Sequence, residues 1–98
     1  MESFSPAVLA RLTVDDFRRY APDLSKAAAL NLLHRIETAL RTAVRQEREA
    51  CTGLCQERQA LWASTEERAG TPAPLRQEAR ARSNEAAWLA DAIRARET

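Results

Sequence analysis

Ninety-eight residues make one folding domain at most, which excludes a two-domain enzyme. Fifteen basic side chains face fourteen acidic ones for a net charge of +1, balanced in each half, so no long-range field steers a polyanion to the chain. A composition of 45% hydrophobic and 30% charged residues belongs to a chain that folds, and a single His and two Cys leave little material for an active site.

Only two Gly and four Pro are present, too few turn residues for a many-stranded β fold. Twenty alanines, with plentiful Leu, Arg, Glu and Gln, favour helix on intrinsic propensity. The fold class is therefore all-α. The expected architecture is a single domain over 1–98: two short N-terminal helices within 1–22, a long helix over 23–70, a turn at 71–74 and a second long helix over 75–96.

Ser5 followed by Pro6 is an N-cap with Pro at the first helical position, and Thr13 before Asp15 and Asp16 offers a second cap. These signals predict short helices at about 6–12 and 14–20. Phe4, Val8, Leu9, Leu12, Phe17 and Tyr20 would form their buried face.

After Pro22, Asp23 or Ser25 can cap a helix that meets no further Pro until Pro72. Leu33, Ile36, Leu40, Ala43 with Val44, Glu47, Ala50 with Cys51, Leu54, Glu57 with Arg58, and Leu61 recur at steps of three and four, a heptad seam with polar interruptions. Gly53 lies inside it and either weakens the helix by about 1 kcal/mol relative to Ala or permits a close helix approach.

The run Gly70-Thr71-Pro72-Ala73-Pro74 closes this segment. Beyond it, Leu75, Ala79, Arg82, Ala86, Leu89 and Ile93 repeat as a and d positions. So short a connection predicts an antiparallel, coiled-coil-like helical hairpin. Folding the chain about 71–72 sets Leu54 against Leu89, Cys55 against Trp88, and Arg58 against Glu85 as a polar pair that fixes the register.

The last helix is too short to cover the whole of the long one, which leaves 25–46 without a partner in the hairpin. Leu30, Leu33, Ile36, Leu40 and Val44 are then buried by the N-terminal helices, by a second copy or by another protein. Leu54, Leu61, Trp62, Trp88, Leu89 and Ile93 complete the expected interface, with the tryptophans as core or interface anchors. A helical bundle completed by self-association, first as an antiparallel four-helix dimer, follows from the small core such a chain builds alone. A larger protein partner is the other occupant considered.

Little else carries chemistry. Cys51 and Cys55 share a helix face at i, i+4; they read as two small hydrophobes, with a thiol redox or metal sensor as the alternative. Two thiolates and the distant His34 cannot close a zinc site in one chain, so no metal and no cofactor is expected. Arg41, Arg45 and Arg48 form a stripe that Arg18 and Arg19 would extend into a phosphate-binding face, yet Glu37, Glu47 and Glu49 dilute it and no nucleic-acid motif accompanies it. Phosphate loops, HExxH, GxSxG and ExxH motifs are missing, which argues against an enzyme. The longest apolar run falls far short of a membrane span, and the first residues lack the pattern of a secretory signal, so a cytoplasmic location is expected. The sequence thus predicts a non-catalytic oligomerising or adaptor protein; the alternatives are a nucleic-acid-binding regulator and a thiol sensor.

Overall fold

In the computed structural model, which describes residues 5–96, the chain is helical and no strand occurs among the described residues. Three helices follow in order: α1 (Pro6–Arg18), α2 (Lys26–Glu67) and α3 (Ala73–Arg94).

The local chemistry of the helix ends explains most of these boundaries. Ser5 caps α1, its hydroxyl oxygen accepting from the Val8 N–H at 3.2 Å, with Pro6 at the first helical position. One helix, and not two, occupies the N-terminal segment. Thr13 does not cap a new helix, because its hydroxyl donates to the Leu9 carbonyl at 2.7 Å, and no Gly or Pro stands there to interrupt α1. Ser25, one of the two candidate caps, starts α2 by accepting from Ala28 N–H at 3.1 Å. The helix then runs through Gly53 without a break.

Gly70 adopts a φ of 85° just past α2, a left-handed conformation that suits glycine at a helix end. Thr71 ties the turn down by donating its hydroxyl to the Thr65 carbonyl at 3.1 Å. Helix α3 starts at Ala73, two residues before the predicted start, since Pro74 fits a first turn whose N–H groups need no intrahelical partner.

The chain folds as two compact units, the first ending at Arg45 and the second beginning at Gln46, so α2 contributes to both. In the first unit Pro6, Ala10 and Val14 are the buried face of α1, and Ala29 is the buried position of α2. Leu33, Ile36, Leu40 and Val44 are half-buried there. Phe17 and Tyr20, however, do not join the cover: both are exposed, Tyr20 at 80%, Phe17 in the last turn of α1 and Tyr20 beyond its end. Phe4 lies outside the described residues.

In the second unit the contacts descend α2 as they ascend α3. Glu66 accepts from Arg80 Nε at 2.6 Å, the Arg82 guanidinium lies 4.9 Å from the Trp62 ring centroid, and Ser83 Oγ donates to the Gln59 carbonyl at 3.5 Å. Ala79, Ser83, Ala86 and Ala90 are buried along α3, spaced four, three and four. On α2 the matching stripe is Thr52, buried, with Cys55, Gln59, Trp62 and Glu66 half-buried. This stripe lies one position from the predicted seam. Small side chains let two backbones approach closely, so the alanines occupy the contact while Leu54, Leu61, Leu75 and Leu89 stay exposed beside it.

Candidate functional site

The exposed residues of the second unit are arranged by that small-residue stripe. Leu54, Arg58 and Leu61 follow one another on α2 at steps of four and three, on the flank next to Trp62. On α3, Leu75, Arg82 and Leu89 repeat at steps of seven, on the flank next to Ala79 and Ala86. Since Arg58, Trp62, Arg82, Glu85, Ala86 and Leu89 together line one open groove of about 270 Å³, the two flanks face the same side. Leu54 is 63% exposed, Leu61 51% and Leu89 41%.

The groove is organised about the Trp62 indole. Arg82 stacks over the ring at 4.9 Å, and Arg58, one turn before Trp62 on the same helix, approaches it at 5.9 Å. Both distances are within the range of cation–π attraction. Arg82 is also held by Glu78, whose Oε1 accepts from Nε at 3.1 Å and from Nη2 at 2.9 Å. Arg58 and Glu85 border the same groove, yet neither forms an ion pair among the described residues. Trp88 sits at 64% exposure, opposite the buried alanines of α3 and away from the groove. Ile93 is half-buried.

The Cys51 thiol occupies a different chemical setting from that of a reactive cysteine. Cys51 and Cys55 are free and half-buried. Cys51 Sγ donates to Glu47 Oε1 at 3.5 Å; this hydrogen bond, with lesser contributions from burial and from the nearby Glu47 and Cys55 charges, raises the Cys51 thiol above its ordinary pKa. A neighbouring carboxylate thus holds the sulfur protonated, where a nucleophilic or metal-binding cysteine requires the thiolate. Among the described residues no three His, Cys, Asp or Glu side chains gather as a metal site would need.

The arginine stripe is partly neutralised. Arg41 pairs with Glu37 at 2.7 Å, Arg45 is exposed and Arg48 half-buried, while Arg19 stands 3.8 Å from Asp16 on α1. His34 is exposed beside Asn31, Arg35, Thr38 and Ala39, in a shallow hollow where Arg35 Nε donates to Asn31 Oδ1 at 2.8 Å. No carboxylate lines that hollow among the described residues.

Two features of the groove escape a reading of the sequence by leucine periodicity. The bracketing of Trp62 by Arg58 and Arg82 needs a register accurate to one residue, although the i, i+4 spacing of Arg58 and Trp62 is visible. Ala79 and Ala86 lie on the predicted seam and are buried, whereas Ser83 and Ala90 take the places that leucine periodicity gives to Arg82 and Leu89. No family model, curated protein or solved structure matches the chain. Among the described residues, no helix is long and apolar enough to cross a membrane.

Proposed function

We propose that this protein is a non-catalytic, cytoplasmic oligomerisation or adaptor protein that associates through its helix faces, its second unit serving as a helical hairpin. The observation that carries this reading is the distribution of side chains by size. The buried hydrophobic residues are Ala10, Val14, Ala29, Ala79, Ala86 and Ala90, no large side chain among the described residues is fully buried, and Leu54, Leu61, Leu89 and Trp88 are exposed. Single exposed leucines are ordinary, whereas a face that gathers several of them beside a core of alanines is what a self-associating helix pair presents.

The half-buried stripe of Leu33, Ile36, Leu40 and Val44 makes the first unit a weaker candidate for the contact than the more exposed leucines of the second. Neither alternative gains from the geometry: Cys51 is held protonated by Glu47, and Arg41 of the arginine stripe is neutralised by Glu37. Molar mass by size-exclusion chromatography with light scattering, run with and without reductant, tests the reading. A dimer or higher oligomer that is indifferent to reductant is the expected result. A monomer at every concentration overturns self-association, and an oligomer that dissociates in reductant transfers the role to the thiols.

A further inference from the structure

The groove holds one guanidinium and one carboxylate that form no ion pair among the described residues, Arg58 and Glu85, beside Trp62 and Leu89 on a single side of the helix pair. Their neighbour Arg82 is already engaged by Glu78 and Trp62. Because Glu66 meets Arg80, Trp62 meets Arg82 and Gln59 meets Ser83, Arg58 falls at the level of Glu85, and Leu54 at the level of Leu89.

This matching of levels has a geometric consequence for a second copy. A twofold axis parallel to the two helices lays α2 of one copy over α3 of the other without shifting any residue along the axis. Levels matched within one chain are therefore matched between chains as well. Each Arg58 then meets the Glu85 of the other copy, twice by symmetry, while each Leu54 meets a Leu89, and every neighbouring pair of the four helices is antiparallel. An isologous contact demands such self-complementarity.

We infer that the groove side of the second unit, Leu54, Arg58, Leu61, Trp62, Glu85 and Leu89, is a homodimer interface whose specificity comes from two reciprocal Arg58–Glu85 ion pairs between copies. This inference rests on the proposed self-association and assigns it a partner, a face and a symmetry. Charge complementarity selects a second copy over an unrelated protein, because the opposite charges the face lacks are the ones it carries itself.

The test uses the full chain with Arg58→Glu and Glu85→Arg, separately, mixed and combined. Both positions are exposed, and circular dichroism monitors the helicity of each variant. An Arg58→Glu homodimer would oppose carboxylate to carboxylate, and a Glu85→Arg homodimer guanidinium to guanidinium. Each is expected to dimerise at least about tenfold more weakly than the parent. Mixed one to one, the two weakened variants are expected to form a heterodimer in which both pairs are again opposite in sign, and the doubly substituted chain is expected to dimerise with itself. Native mass spectrometry separates the heterodimer from either homodimer by mass.

A parent dimer that persists in both single variants overturns the interface and leaves self-association standing. A mixture that stays monomeric overturns the reciprocal pairing, and a monomeric parent overturns both the interface and the function it rests on.

Discussion

Threonine inside a helix usually satisfies its hydroxyl on the preceding turn, and Thr13, Thr42 and Thr65 donate to carbonyls four residues back at 2.7, 2.9 and 3.1 Å. Thr52 does not. It is 4% exposed, and its buried Oγ1 has no hydrogen-bond partner among the described residues. An orphaned buried hydroxyl costs about 1–3 kcal/mol, and Val matches Thr in shape and branching. Thr52→Val is thus expected to raise stability by about 1 kcal/mol, read as a higher urea midpoint at unchanged m; a lower midpoint would mean the hydroxyl is satisfied in solution. Cys51 offers a second test at this scale, since its thiol is held above the ordinary range chiefly by the hydrogen bond to Glu47. A folded-state pKa that is raised contributes stability that is fully present below the ordinary thiol pKa and is lost as pH climbs through the raised value, so the loss of this contribution falls on the alkaline side. At pH 8 Glu47→Gln is expected to speed alkylation of Cys51 by removing the charge that keeps the sulfur protonated. An unchanged rate would show that access, and not ionisation, limits the reaction.

The two glycines differ in what each does for its helix. A Cβ built at Gly53 meets nothing within 4 Å, so the residue permits no close approach and only weakens α2. Gly53→Ala is accordingly expected to stabilise the chain by about 1 kcal/mol, in line with the propensity difference in a helix interior. Gly70 also faces open space, but its φ of 85° strains any residue with a Cβ, and Gly70→Ala is expected to cost about 1 kcal/mol. Thermal melts of the two variants should move in opposite directions; a rise in both would deny Gly70 its left-handed geometry in solution. The positions of these breaks are legible from residue types, because Ser5, Ser25, Gly70 and Pro74 have few other uses in a helical chain. The lateral position of the contact is not. The predicted a and d positions include Ala79 and Ala86, both buried; periodicity alone cannot choose between Arg82 and Leu89 and the adjacent Ser83 and Ala90, or between Leu54 and Leu61 and the adjacent Cys55 and Trp62, and close packing selects the second of each pair. Thr13 failed as a helix start for a similar reason, since a cap residue signals a boundary only where something stops the preceding helix.

For the chain as a whole, the alanine contact and the leucine face are one problem in energetics. A methyl group buries little apolar surface, so a core that among the described residues is built on Pro6, Ala10, Val14, Ala29, Ala79, Ala86 and Ala90 stabilises the monomer weakly against the conformational entropy of ordering the chain. The leucines beside it can still be buried by association, at about 25 cal/mol for each Å² of apolar surface removed from water. If folding and dimerisation are linked in this way, stability is inseparable from protomer concentration. The melting temperature is therefore expected to climb by a few degrees for each tenfold increase in protein, as a domain of this size shifts by about 4–8 °C per kcal/mol. Arg58→Glu sharpens the measurement because it leaves the alanine contact within each chain untouched and opposes like charges between copies. Its melting temperature should be lower than the parent's at high concentration, approach the parent's at low concentration, and depend little on concentration in between. A parent that melts at one temperature across a hundredfold range of concentration would mean that the small core suffices alone, and that the leucine face serves a partner other than a second copy.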